Sequence, residues 1–211
     1  MADNYLENRL NDLLSHRPAK RYGSSHSLDS LLTKNRSYRG YRKEYVVTEE
    51  MLKRLVAVNT KVPSGRNRQV LRFKTVTRET GAAAMLTLIK LGGALPELHL
   101  PFEGTEPEAF IIVCSTVPED RIVDIDLGIS AQSMLLKAVD MGLGGIIIAA
   151  FNREEVKRTF ALPYEPLLVV AIGKGAEKIE LVPINADDDH AYYRKEGVHY
   201  VPKVKVEDLL L

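Results

Sequence analysis

Two arginines and a hydroxyl lie within four residues in the segment Arg36-Ser37-Tyr38-Arg39. Guanidinium groups pair with phosphate or carboxylate oxygens through parallel hydrogen bonds, and a hydroxyl adds one more donor. The segment could therefore bind a phosphate or a carbonyl-rich ring. The alternative is an exposed basic turn, which is the commoner use of such a segment taken alone.

A second polar group lies between a predicted helix and a predicted strand, in Pro63-Ser64-Gly65-Arg66-Asn67-Arg68-Gln69. The Ser64 hydroxyl and the Asn67 and Gln69 amides supply both donors and acceptors. Groups of this kind suit the polar edge of a heterocycle. Because serine, proline, glycine and asparagine also dominate ordinary turns, a turn without a ligand fits equally well.

A third group is Pro202-Lys203-Val204-Lys205 in the C-terminal segment. In an extended chain, residues two apart point to the same side. The Lys203 and Lys205 ammonium groups could therefore converge on one anion, with a solvated basic tail as the alternative.

Together the three groups would suit a ligand with one phosphate and a flat ring that forms hydrogen bonds. No nucleophile stands beside a base, so an enzyme built on them would leave the difficult chemistry to a cofactor. The glycine cluster at 142–145 follows a predicted helix and precedes a strand, which is the reverse of the dinucleotide-binding order. The five histidines have no metal-ligand spacing. Cys114 lies in an apolar run and is predicted to be an inert core thiol.

Hydrophobic patterns predict the elements that must position these residues. Apolar runs predict strands, and apolar residues at helical spacing predict helices. Thr48 is the predicted N-cap of the helix that ends near 63–65. The predicted strands are 70–77, 109–114, 146–150 and 167–172, and the predicted helices are 28–35, the one after Thr48, 81–92 and 126–141.

The segments outside this pattern have separate interpretations. Residues 1–27 form a predicted arm, with an amphipathic helix at 4–17 followed by a polar linker. Residues 93–108 form a long loop of the kind that often has a function. The tail at 185–211 has too little apolar area to pack alone, so it is predicted to dock on another surface, such as a partner subunit.

The composition sets outer limits on the protein. The chain has 211 residues, 45% of them hydrophobic, and a net charge of +1, which predicts a globular domain over 28–211 and argues against nucleic-acid binding by bulk charge. One cysteine excludes an internal disulfide. No apolar run reaches the roughly 20 residues of a membrane span, and no signal-peptide core is visible, so a cytoplasmic protein without membrane contact is expected.

The motifs and their order resemble the FMN-dependent nitroreductase family. The family's usual marks are an Arg-Arg-Ser-x-Arg turn, a Pro-Ser-x-x-Asn-x-Gln-Pro turn, a helix ending in Gly-Leu-Gly before a buried strand, and a basic Lys-x-Lys or Lys-x-Arg near the C-terminus. Here they read Asn35–Arg39, Pro63–Gln69, Asp126–Gly144 running into Ile146–Ala150, and Lys203-Val204-Lys205. The resemblance covers about residues 28–211.

The resemblance implies both a fold and a reaction. The fold would be an α+β sandwich with a central, mostly antiparallel sheet flanked by helices, in an intertwined homodimer with FMN at the interface. The reaction would be ping-pong, with hydride passing from NADH or NADPH through the flavin to a nitroaromatic, quinone or related acceptor.

The resemblance also implies roles for particular residues. Arg36 and Ser37 would hold the phosphate or ribityl end, and Lys203 and Lys205 would complete the phosphate site. Arg39 would lie beside the flavin's N1 and C2 carbonyl. Ala149 and Ala150 would lie near the reactive N5 edge, where small side chains permit close approach. The second turn would contact the flavin from the partner subunit through residues drawn from Pro63, Ser64, Gly65, Asn67 and Gln69.

The sequence departs from the family pattern at three places. Asn35 stands where the first arginine is usual, Val70-Leu71 follows the glutamine in place of Pro-Trp, and residues 1–27 have no counterpart. Two other functions remain as alternatives. One is a non-catalytic flavin or nucleotide binder, and the other is a protein-interaction module built on the helix at 4–17.

Overall fold

The computed structural model describes residues 27–93 and 98–211. The amphipathic helix predicted at 4–17, and the interaction module based on it, lie outside the described residues. Within the described ranges, no helix is long and apolar enough to cross a membrane.

The described residues contain five α-helices, which begin at side-chain or glycine caps. Four N-cap side chains, those of Ser27, Thr48, Asp120 and Asn152, accept hydrogen bonds from backbone N–H groups in the first turn of the helix. The helices are α1 Leu28–Lys34, α2 Glu49–Val56, α3 Ala82–Leu88, α4 Arg121–Asp140 and α5 Arg153–Thr159. Short 3₁₀ segments follow at Ala57–Thr60, Gly65–Asn67 and Val206–Asp208.

A four-stranded antiparallel sheet forms the centre of the fold. Its strands are β1 Leu71–Val76, β2 Phe110–Ser115, β3 Gly144–Ile148 and β4 Glu165–Gly173, in the order β1-β2-β4-β3. Every residue of β2 is buried, as expected for a strand covered on both faces.

Helices cover both faces of this sheet. Along β2, Ile111 and Val113 pack into one apolar cluster with residues of α2 and α4. Phe110 and Ile112 face the opposite way, into a cluster with residues of α3 and α5. The predicted α+β sandwich is confirmed. Successive side chains of a strand point to opposite faces of the sheet, so an apolar strand such as β2 packs against a helical layer on each side. Cys114 is buried in the second cluster, where desolvation raises the pKa of its thiol to about 11.

A second sheet is formed by the C-terminal part of the chain. It contains β5 Lys178–Ile184, β6 Tyr193–Lys195 and β7 Val198–Val204, with β7 parallel to β5 and antiparallel to β6. Val198 and His199 are buried in it. Residues 193–204 therefore pack against β5 of their own chain. The sequence predicted that the tail docks on another surface, such as a partner subunit.

Two element boundaries differ from the prediction for local reasons. Helix α4 begins at Arg121 and not at 126, because the Asp120 carboxylate accepts from the N–H groups of Ile122 and Val123, both at 2.8 Å. The helix predicted over 81–92 ends at Leu88, and Ile89 forms a β-bridge with Phe151.

Candidate functional site

A cavity of about 570 Å³ lies between the end of α1, helix α4, strand β3 and the second sheet. Two arginines of one segment, Arg36 and Arg39, line it together with Ser37 and with Lys203 from the C-terminal part of the chain. We call this the cationic cavity. Its remaining lining residues are Leu32, Thr33, Asn35, Gln132, Leu135, Ile147, Ile179, Leu181, Tyr192, His199 and Val201.

The arginine segment is fixed to the central sheet by two glycines. Ser37 forms a parallel bridge with Gly145, and the Tyr38 N–H donates to the Gly145 carbonyl at 3.2 Å. A Cβ on Gly144 would come within 2.5 Å of the Tyr38 ring, and one on Gly145 would collide with the Ala171 carbonyl oxygen. The glycine cluster therefore permits close packing of the ligand-binding segment.

Arg36 carries a charge that its own chain only partly satisfies. Its Nη2 donates to the Leu32 carbonyl at 2.6 Å, while its buried Nε has no partner among the described residues. Burial lowers the pKa of the guanidinium. An anion in the cavity would supply both the missing acceptor and the counter-charge.

Arg39 is more deeply buried, with 9% of its surface exposed. Its Nη1 donates to the Ser37 carbonyl at 3.2 Å and its Nη2 to Tyr192 Oη at 3.3 Å, with the guanidinium 5.0 Å from the Tyr192 ring centre. The nearby Glu177 carboxylate is occupied by the backbone N–H groups of Arg39 and Gly40 and by the Arg194 guanidinium.

The three cavity cations share the absence of an acidic partner. Within residues 27–93 and 98–211, the side-chain nitrogens of Arg36, Arg39 and Lys203 form no salt bridge with a carboxylate. Ten other basic side chains in these ranges do pair with a carboxylate, as Arg194 does with Glu177, so what distinguishes the three cations is that they line one cavity. Unpaired basic groups around one cavity are the usual arrangement at an anion site.

The two C-terminal lysines occupy different surroundings. Lys203 lies in β7 and lines the cationic cavity. Lys205 lies one residue beyond the strand, at the cap of the last 3₁₀ segment, and its Nζ donates to Asn185 Oδ1 at 3.0 Å. Lys205 is still extended, but its ammonium is taken by Asn185 and only Lys203 of the two lysines lines the cavity.

The turn at 63–69 lies at a different position along α4. The Gly65 N–H donates to the Asp126 carboxylate at 2.8 Å, and a Cβ there would collide with Ile122. Within the turn, the Gln69 N–H donates to Ser64 Oγ at 3.2 Å and the Gln69 side-chain amide to Asn67 Oδ1 at 3.0 Å. Asn67 and Gln69 have φ angles of 54° and 50°, a conformation that asparagine tolerates better than most residues.

This turn borders a second cavity, of about 580 Å³, which we call the turn cavity. Pro63, Ser64 and Gln69 line it, whereas Gly65 and Asn67 do not. A single chain therefore gathers Arg36, Ser37, Arg39 and Lys203 in one cavity and keeps the turn residues in another.

Ala149 and Ala150 follow β3 directly and are exposed. The Ala150 carbonyl accepts from the Lys90 N–H at 2.8 Å, and neither alanine lines either cavity. Ala149 lies two residues beyond Ile147, which does line the cationic cavity.

Sequence reasoning missed three polar residues of this site, namely His199, Tyr192 and Glu177. His199 and Lys203 lie on the same side of β7, so recognising this tail as a strand would have joined the histidine to the lysine. No comparable signal marked Glu177, whose role depends on its hydrogen bonds to residues about 138 positions away.

The fold and the site define an α+β protein whose central antiparallel sheet supports a cavity lined by three basic side chains. Residues 32–174 match the sequence model of the nitroreductase family, so the chain belongs to that family. No curated protein is similar enough to the chain to count as a match.

Solved structures agree with this family assignment at the level of the fold. A nitroreductase family protein from Clostridium difficile is 23% identical, with a TM-score of 0.57, and the match covers 72% of this chain and 86% of that one. A protein from Exiguobacterium sibiricum, assigned as a nitroreductase and solved with FMN, is 18% identical, with a TM-score of 0.59 and coverage of 74% and 91%. A protein from Staphylococcus epidermidis assigned as an NAD(P)H:FMN oxidoreductase is 19% identical, with a TM-score of 0.55 and coverage of 72% and 88%.

Proposed function

We propose that the protein is an FMN-dependent oxidoreductase that uses NADH or NADPH to reduce a nitroaromatic, quinone or related small acceptor. The observation that carries this proposal is the cationic cavity. Three basic side chains without carboxylate partners among the described residues line it together with apolar side chains. Membership of the nitroreductase family supports the proposal. Two structural relatives support it as well, one solved with FMN and one assigned as an NAD(P)H:FMN oxidoreductase.

The residues present fit a flavin mononucleotide. The buried Nε of Arg36 needs an acceptor, which a phosphate oxygen would provide, and the Ser37 hydroxyl and Lys203 ammonium are further donors to the same group. Ile147, Ile179 and Leu181 supply apolar surface for a flat ring. Arg39 would place a fixed positive charge beside the ring, which favours negative charge there.

FMN, when bound, would supply the redox chemistry by accepting hydride from the nicotinamide and passing electrons on to the acceptor. The contribution of this chain is to hold the ligand with charge and to exclude water with apolar walls. With the cofactor supplying the reaction, the residues of this chain would bind and orient the flavin and its substrates.

We also propose that the site is completed in a homodimer, with Ser64, Gly65 and Asn67 contacting the flavin of the partner subunit. The support is the outer face of α4, where Ile125 is 52% exposed and Gly128 has open space above it. Both cavities border this helix, through Asp126 and Ser130 in one case and Gln132 and Leu135 in the other. A second α4 packed here would bring the turn of one chain toward the cationic cavity of the other.

The test is an absorbance spectrum of the purified protein before and after addition of FMN, followed by anaerobic titration with NADH and with NADPH. The proposal expects a flavin spectrum that bleaches with a reduced nicotinamide and returns when a quinone or nitro compound is added. Protein that stays colourless and takes up no FMN would overturn it. Bound FMN that no reduced nicotinamide bleaches would favour the non-catalytic binder.

A further inference from the structure

Strand β7 forms one wall of the cationic cavity, with His199, Val201 and Lys203 on the same face. The register pairs His199 with Ile179 and Val201 with Leu181 of β5, and both of these partners also line the cavity. His199 and Lys203 are four residues apart, or about 13 Å at roughly 3.3 Å per residue. The wall therefore has a polar group at each end and apolar side chains between them.

His199 is the deeply buried polar group of this wall, with only 2% of its surface exposed. Its ring meets the Tyr192 ring edge to face at 5.1 Å, which packs the imidazole without giving its nitrogens a partner. Nδ1 is buried and forms no hydrogen bond with any described residue. A buried polar atom without a partner costs free energy, and His199 is one of the residues that line the cavity, so its imidazole is a candidate to bind a ligand atom.

The charges around His199 favour its neutral form. Burial lowers the pKa of the imidazole, and the nearby charges of Arg39 and Arg194 lower it further against the opposing effect of Glu177. The one nearby carboxylate, that of Glu177, is occupied by Arg194 and by backbone N–H groups. A neutral imidazole has one donor and one acceptor, which suits the uncharged polar edge of a ring better than it suits a phosphate.

We infer that His199 is a ligand-binding residue that hydrogen-bonds the polar edge of the flavin ring, at the opposite end of the cavity from Lys203. This inference rests on the proposed function. In this arrangement the His199 imidazole at one end of the wall hydrogen-bonds the flavin ring. The Lys203 ammonium at the other end binds the phosphate.

The test compares FMN with riboflavin, which has the same ring and no phosphate. Dissociation constants are measured by flavin fluorescence for the wild type, His199→Leu, Lys203→Ala and the control His190→Leu. His190 lies in the same part of the chain but is exposed, with a ring nitrogen 3.0 Å from the Ala186 carbonyl. We expect His199→Leu to weaken both flavins by the same factor, roughly tenfold for one lost hydrogen bond in a buried site. Lys203→Ala should weaken FMN and spare riboflavin, and His190→Leu should match the wild type.

Unchanged affinity of His199→Leu for both flavins would overturn the inference, and so would a loss confined to FMN. A wild type that binds neither flavin would overturn the proposed function itself. Failure of the inference alone, in which the wild type binds flavin but His199→Leu binds it equally well, is therefore distinguishable. If His199→Leu does not fold, the imidazole nitrogen resonances of the wild type decide. Those of His199 should shift on riboflavin addition while those of His190 stay fixed, and an unmoved His199 resonance would refute the contact.

Discussion

Arg36 and Arg39 are only three residues apart, yet the structure gives them different surroundings. Arg36 lies at the end of α1, bonded to a carbonyl of that helix and otherwise open to an incoming anion. Arg39 is held among Ser37, Tyr192 and Glu177, with its guanidinium stacked over an aromatic ring. A guanidinium with an unpaired nitrogen suits the binding of a phosphate, whereas one held by several contacts suits a defined position beside a ring.

Replacing Arg39 by alanine should weaken flavin retention or slow flavin reduction. Hydrogen bonds to a charged group contribute about 1.5–3 kcal/mol, which corresponds to roughly a tenfold to hundredfold rise in the dissociation constant. Flavin fluorescence titration and stopped-flow bleaching by NADH would measure the two effects. Arg42→Ala is the matched control, because Arg42 is exposed and lines neither cavity.

Two outcomes of this experiment have a clear meaning. Retention and reduction rates equal to those of the wild type would count against the role given to Arg39. An equal loss in Arg42→Ala would show that bulk positive charge, and not a fixed guanidinium, holds the ligand.

At the scale of the elements, the glycines of β3 determine whether the arginine segment can dock. Gly145 pairs with Ile172 in the sheet and with Ser37 on its other side. A methyl group there would meet the Ala171 carbonyl oxygen of the neighbouring strand and the Leu135 side chain of α4. Because the first of these is backbone in the centre of a sheet, it has little freedom to move.

The substitution Gly145→Ala should therefore lower the free energy of unfolding by roughly 1–3 kcal/mol, the usual cost of overpacking. It should also weaken FMN binding, since the segment from Ser37 to Arg39 would be displaced. Urea denaturation and flavin titration give the two numbers. Gly93→Ala is the control, because a Cβ there would meet no other atom within 4 Å. Equal unfolding midpoints for the two variants would contradict this account.

The elements also show how far the sequence alone can predict this molecule. Strands β1, β2 and β4 were predicted because they are covered on one or both faces and so form conspicuous apolar runs. The second sheet was not, because its strands are half-exposed and its main pairing joins residues 178–184 to residues 198–204. The same limit applies to the site. Arg36, Arg39 and Lys203 were predicted together from their charge, whereas His199 acquires its place only through the register of β7 against β5.

At the scale of the whole molecule, the outer face of α4 is the feature that a single chain leaves unexplained. Ile125, Gly128, Ile129 and Leu136 recur at helical spacing on this face, and all are exposed or only partly buried. A surface helix normally carries polar residues on its outer side. In the C-terminal tail, strands β6 and β7 already pair within their own chain, whereas Val206 and residues 209–211 beyond them are exposed. We base the case for a homodimer on α4, because both cavities border that helix.

Placing a charge on this face should dissociate the dimer. Ile125→Arg would bury an unpaired guanidinium between two copies of α4, at a cost large enough to shift the assembly to monomers at micromolar concentration. Sedimentation velocity would follow the change in mass, and absorbance would follow the FMN bound per chain. The FMN content should fall with the dimer, because the turn at 63–69 would no longer reach the partner's cavity.

Val46→Arg is the control, since Val46 is equally apolar and 49% exposed but lies between α1 and α2. A wild type that sediments as a compact monomer with a full complement of FMN would reject the dimer, and with it the assignment of Ser64, Gly65 and Asn67 to a partner's site.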